Sequence, residues 1–86
     1  MDLYFTNKGL EHYRYWQKNN KGILERINLL IEDIKIEPYV GIGKPEPLKH
    51  QLSGTWSRRI DREHRLVYFI KKQEIWILNC RGHYKT

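Results

Sequence analysis

A carboxylate, a set of guanidiniums and a late imidazole are the groups in this sequence whose types and spacing suggest chemistry. Glu46 stands between Pro45 and Pro47, Arg59, Glu63 and Arg65 follow, and Arg81, His83 and Tyr84 come near the end. The histidines at 12, 50, 64 and 83 and the single cysteine show no metal-ligand spacing. No glycine-rich loop leads from a strand into a helix, and Ser53 and Ser57 have no context that marks a nucleophile. The expectation is a protein that uses neither a metal nor an organic cofactor.

These groups fit a reaction in which the substrate brings its own nucleophile. In RNA the 2′-hydroxyl can attack the neighbouring phosphate, so a protein needs only to help remove that proton, stabilise the phosphorane and protonate the departing 5′-oxygen. Arginine suits the middle task because its planar fork donates to two phosphate oxygens at once. Histidine suits the last because imidazole titrates near neutrality. Glutamate is the weaker fit, since its carboxyl in water titrates at about 4.3 and neighbouring arginines lower it further. Glu46 would then act through placement, or would orient the hydroxyl while another group takes the proton. Each residue also has an ordinary reading as a solvated surface side chain, and Tyr84 as a last apolar contact of the sheet.

Sixteen Lys and Arg against ten Asp and Glu give a formal charge of +6. The excess gathers at Arg58, Arg59, Arg62, Arg65, Arg81 and Lys85, while the first half is nearly balanced. Such clustering points to a phosphate-rich partner or to an acidic protein covering the same surface. Cys80 lies in an apolar run and reads as a buried thiol; one cysteine permits no internal disulfide. With no apolar leader and no stretch long enough to span a bilayer, a cytoplasmic protein without membrane contact is expected.

Eighty-six residues suffice for one domain, residues 1–86, with a thin core. Leu3-Tyr4-Phe5-Thr6 reads as a short strand, and Asn7 as the cap of a helix with Leu10, Tyr13 and Trp16 on one face. Asn19-Asn20-Lys21-Gly22 interrupts it and offers a new cap. Ile23, Ile27, Leu30, Ile31 and Ile34 then form an apolar helical stripe that Pro38 ends. Three prolines and two glycines within positions 38–47 exclude helix and interior strand, yet they stiffen the backbone around Glu46. Strand-like runs follow at about 49–60, 64–71 and 75–82, joined by turns too short for anything but antiparallel pairing. The expected class is α+β, with an N-terminal strand and a two-helix hairpin packed on a twisted antiparallel sheet.

Strand parity sorts the side chains further. Leu66, Tyr68 and Ile70 form one apolar set, and Trp76, Leu78 and Cys80 another. With both sets turned to the helices, and with Ile60 inward, Arg59, Arg65, Arg81 and His83 share the open face. This holds only in the absence of a bulge.

The run Gly43-Lys44-Pro45-Glu46-Pro47-Leu48-Lys49-His50, then Leu52-Ser53-Gly54 and Trp56-Ser57-Arg58-Arg59-Ile60, resembles the YoeB/Txe family of RelE-like toxins. Glu63-His64-Arg65-Leu66-Val67-Tyr68 and Cys80-Arg81-Gly82-His83-Tyr84 continue the likeness, and Tyr13-Arg14-Tyr15-Trp16-Gln17 is similar to the family's first helix. The resemblance implies a RelE-like fold and a ribosome-dependent endoribonuclease that cuts messenger RNA in the A site, leaving 2′,3′-cyclic phosphate and 5′-hydroxyl ends. It implies Glu46 as general base, Arg65 as phosphate stabiliser, His83 as general acid and Tyr84 as a substrate-positioning aromatic. Lys49 and Arg59 would hold RNA, with Arg81 in the same basic surface and Glu63 beside the site. A homodimer, a YefM/Axe-type antitoxin, and operator DNA reached only through the antitoxin complex are implied as partners. Lys85 and Thr86 extend past the family's usual His-Tyr ending. Two competing readings are a basic module that blocks RNA or ribosome without cutting, and a DNA-binding repressor, for which no reading helix is evident.

Overall fold

The computed structural model describes residues 1–83. Strand β1 (Asp2–Phe5) leads directly into helix α1 (Asn7–Asn19), and α2 (Lys21–Ile36) follows almost without a loop. The cap of α1 is Thr6 rather than Asn7: its hydroxyl accepts the Gly9 N–H at 3.1 Å, satisfying one of the donors a helix start leaves open. Asn20 does the same for α2 through the Ile23 N–H, at 3.1 Å, and the tight joint folds the two helices into the expected hairpin.

Four further strands complete a five-stranded sheet: β2 (Glu46–Pro47), β3 (Trp56–Arg59), β4 (Arg65–Lys71) and β5 (Glu74–Asn79), in the order β1-β5-β4-β3-β2. The sheet is mixed rather than wholly antiparallel. β1 runs parallel to β5 at one edge, which the helix hairpin permits by returning the chain across the sheet. The first expected long strand is also shorter than its apolar run. Residues His50–Leu52 form a 3₁₀ turn, and the chain regains a strand only at Trp56, because the Ser53-Gly54 break allows the loop to close on a Leu48 N–H to Thr55 carbonyl bond of 2.9 Å.

The α2 residues Ile27, Leu30, Ile31 and Ile34, with Trp16 of α1, bury themselves against Ile60, Leu66, Tyr68, Ile75, Ile77 and Cys80. The inward set of β5 is therefore not the one parity predicts. Tyr68 pairs with Ile77 but Val67 pairs with Asn79, so Leu78 is an extra residue without a partner. This bulge reverses the facing of β5 within one step. Ile75 and Ile77 face the helices before it and Cys80 after it, while Trp76 turns outward to stack on Tyr4 with ring centroids 4.9 Å apart.

Gly9 lets α1 approach β5: a Cβ there would collide with the Ile77 carbonyl. Alanine favours a helix interior by about 1 kcal/mol. Gly9→Ala is nonetheless expected to destabilise the protein by about 1–3 kcal/mol, as overpacking against backbone does. The denaturant midpoint measures this, and an unchanged or higher midpoint would mean that α1 shifts freely on the sheet.

Candidate functional site

Glu46 lies on the two-residue edge strand β2, where proline is tolerated because no inner neighbour needs its missing N–H. Its Cα partner is Ser57, which pairs onward with Val67, and Val67 with Asn79. Paired residues face the same side, so Glu46 stands at one end of a row across the face opposite the helices. The middle of that row is recessed: Ser57, Val67 and Asn79 are 4%, 1% and 2% exposed. Arg59 and Arg65 are Cα partners one step further along β3 and β4 and face the same way.

The chain leading to Glu46 is held by Arg58, which is 0% exposed. Its Nε donates to the Tyr68 hydroxyl (3.2 Å), Nη1 to Asp33 Oδ2 (2.5 Å) and the Ile42 carbonyl (3.1 Å), and Nη2 to the carbonyls of Glu37 (2.8 Å) and Val40 (3.2 Å). Tyr68 in turn donates to the Pro38 carbonyl at 2.6 Å. The loop between α2 and β2 therefore wraps a guanidinium. Arg58 thus leaves the surface cluster in which sequence reading placed it. Its parity, shared with inward Ile60, was the available signal.

The Arg58 hydrogen bond, then that from the Ile42 backbone, holds the Asp33 carboxyl below its ordinary 3.8. A depressed folded value gives stability that is complete above the unfolded value and is lost as pH falls through the folded one. Asp33→Asn should therefore lower stability at neutral pH and flatten its decline below about pH 4. Urea titrations across that range test it; parallel wild-type and variant curves would refute the assignment.

Arg59 and Arg65 line a cleft of about 440 Å³ with Arg26, Ile60, Asp61 and Arg62. Arg65 Nη1 donates to the carbonyls of Asp61 (2.8 Å) and His64 (3.1 Å), which fixes the guanidinium at the β3–β4 turn. Burial opposes the charge of Asp61, but the backbone N–H groups of His64 and Glu63 outweigh it and leave its carboxyl below the ordinary range. Four arginines around one carboxylate form an anion-attracting cleft. Lys49 precedes the 3₁₀ turn and is exposed, as is Glu63, whose carboxylate lies 3.8 Å from His64 Nε2.

His83 does not ride on a strand, since β5 ends at Asn79 and Gly82, at φ +90°, turns the chain. The Arg65 N–H donates to the Gly82 carbonyl at 3.0 Å, which places His83 one residue beyond a direct link to Arg65. The imidazole is exposed, with Nε2 at 3.4 Å from the Arg62 carbonyl. Arg81 departs from the expected grouping. Its guanidinium lies 3.6 Å from the ring centre of Tyr15 on α1, in a second cleft with Lys8, His12, Asn79, Gly82 and His83. Tyr84, like Lys85 and Thr86, lies outside the described residues. Cys80 is fully buried, and burial raises its thiol to about 12, so it packs as an apolar group.

Residues 5–84 match the family described as the YoeB-like toxin of bacterial type II toxin–antitoxin systems. Toxin YoeB of Synechocystis sp. is 53% identical over 85 residues, covering 99% of each chain. The YoeB dimer from Staphylococcus aureus has a TM-score of 0.92 at 42% identity, over 98% of each chain. The YoeB–YefM complex from the same organism has a TM-score of 0.91 at 44% identity, again over 98% of each.

Proposed function

The chain belongs to the YoeB-like toxins of bacterial type II toxin–antitoxin systems, and from that premise we propose that it is a ribosome-dependent endoribonuclease that cuts messenger RNA in the A site. The observation that carries the reading is the shared face of Glu46, Arg59 and Arg65, with His83 tied beside Arg65 through the Gly82 carbonyl. Glu46 takes the 2′-hydroxyl proton as that oxygen attacks the phosphorus. Arg65, with Arg59 beside it, holds the non-bridging oxygens as charge gathers there. His83 gives its proton to the 5′-oxygen as the P–O bond breaks, leaving a 2′,3′-cyclic phosphate and a 5′-hydroxyl. Lys49 extends the phosphate track, Arg81 meets the RNA from the neighbouring cleft that it shares with His83, Glu63 lies at the margin, and Tyr84 positions the substrate base.

The partners follow from the same premise: a YefM/Axe-type antitoxin, a second copy of the chain, and operator DNA only through the antitoxin complex. Leu29, Ile36, Tyr39, Val40 and Ile42 are large apolar side chains left exposed, a surface suited to a protein partner. Among the described residues no helix is long and apolar enough to cross a membrane, and the proposed place of action is the cytoplasm.

Primer extension on a defined messenger in reconstituted translation tests the proposal. Codon-aligned new 5′ ends, present only when the protein is added, are the expected result. Arrested translation without new ends would instead support a protein that blocks the ribosome.

A further inference from the structure

Strand β5 ends at Asn79, and the segment beyond it that carries His83 is held at four backbone atoms. The Cys80 N–H donates to His12 Nδ1 at 3.2 Å, and the Gly82 N–H to His64 Nδ1 at 2.8 Å. The Cys80 carbonyl accepts from Trp16 Nε1 at 2.8 Å, and the Gly82 carbonyl accepts from the Arg65 N–H at 3.0 Å. Two imidazoles, one from α1 and one from the β3–β4 turn, thus take alternate amides of one short stretch. Both are nearly inaccessible, at 8% and 9% exposure, and the His64 ring meets Trp16 edge-on at 4.8 Å. Packing cannot do the same work at Gly82. It has no side chain, and among the described residues nothing lies within 4 Å of where a Cβ would stand.

We infer that His12 and His64 are positioning residues for the cleavage reaction: through Nδ1 they hold the Cys80 and Gly82 amides and so set the place of His83. An Nδ1 that accepts a hydrogen bond carries no proton, which puts the proton of the neutral ring on Nε2. For His64 this turns Nε2–H toward the Glu63 carboxylate, 3.8 Å away. For His12, burial and then Lys8 keep the ring below its ordinary 6.5, with Glu11 opposing and Arg81 assisting, so the accepting form persists at neutral pH. The inference rests on the ribonuclease reading, since His83 must act for its position to matter. Misplacing a reacting group by about 1 Å costs on the order of 100-fold in rate.

Two measurements test it. In protein labelled with nitrogen-15, scalar couplings across the hydrogen bonds should link the Gly82 amide nitrogen to His64 Nδ1 and the Cys80 amide nitrogen to His12 Nδ1. Their absence would overturn the inference without any variant. Cleavage of ribosome-held messenger is then compared for His12→Leu and His64→Leu, which remove the acceptor, and for His12→Asn and His64→Asn, whose Oδ1 replaces Nδ1. The leucine variants should cut about 10- to 100-fold more slowly at saturating protein, with an unchanged half-saturating concentration. The asparagine variants should recover to within a few-fold. Wild-type rates in folded leucine variants, or equal losses in the leucine and asparagine forms, would reduce the histidines to packing. If the leucine forms do not fold, the wild-type couplings and the asparagine rates decide. A wild type that shows both couplings but cuts no messenger sinks the ribonuclease reading itself, which is a different failure.

Discussion

His83→Gln is expected to lower cutting of ribosome-held messenger by about 10²- to 10⁴-fold, the range a positioned general acid contributes. Glutamine keeps a hydrogen-bonding side chain of similar reach but has no proton to give at neutral pH. His83 is exposed and packs into no core, so the substitution should change stability by no more than about 0.5 kcal/mol. Sedimentation with ribosomes should likewise stay close to wild type, because Arg59 and Arg65 keep their places. Quantified primer extension, with a melting curve for each protein, separates loss of chemistry from loss of fold. A variant that cuts at the wild-type rate would remove His83 from the acid role and leave the 5′-oxygen to be protonated by another group.

The second large effect concerns Arg58. Arg58→Met retains much of the side-chain volume but removes the donors that Asp33, Tyr68 and the carbonyls of Glu37, Val40 and Ile42 share. Breaking a buried charge network by deleting one partner costs about 3–5 kcal/mol. That is a large part of the roughly 5–15 kcal/mol that holds a domain together. Arg59→Met is the matched control, since Arg59 is exposed on the opposite face and should shift stability by about 0.5 kcal/mol or less. Urea midpoints for the two variants give the comparison. Because the wrapped loop leads into Glu46, an Arg58→Met protein that remains folded should also cut poorly. A loss below about 1 kcal/mol would mean that water replaces the guanidinium without cost, and that the loop needs no centre.

Much of the architecture can be read from local chemistry. The α2 stripe, the Asn20 cap and the proline-stiffened approach to Glu46 depend on near neighbours in the chain. Periodicity and backbone restriction therefore reveal them, and the motif around residues 43–68 carries the family. Arg59 and Arg65 reach one face for a similarly local reason, since β3 and β4 pair without interruption. Tertiary contacts decided the rest. The bulge at Leu78 depends on how β4 and β5 pair, and alternation along β5 alone cannot show an extra residue. A composition count makes Arg58 a surface cation, and only the meeting of β3, α2 and the loop between α2 and β2 buries it. Thr6 rather than Asn7 caps α1, and β1 lies parallel to β5, because of where the helix hairpin returns the chain. His12 and His64 lie 52 positions apart in the sequence. They come to bear on one short segment only when α1 and the β3–β4 turn close around it, for a hydrogen bond has no pattern along the chain until both partners share a place in space.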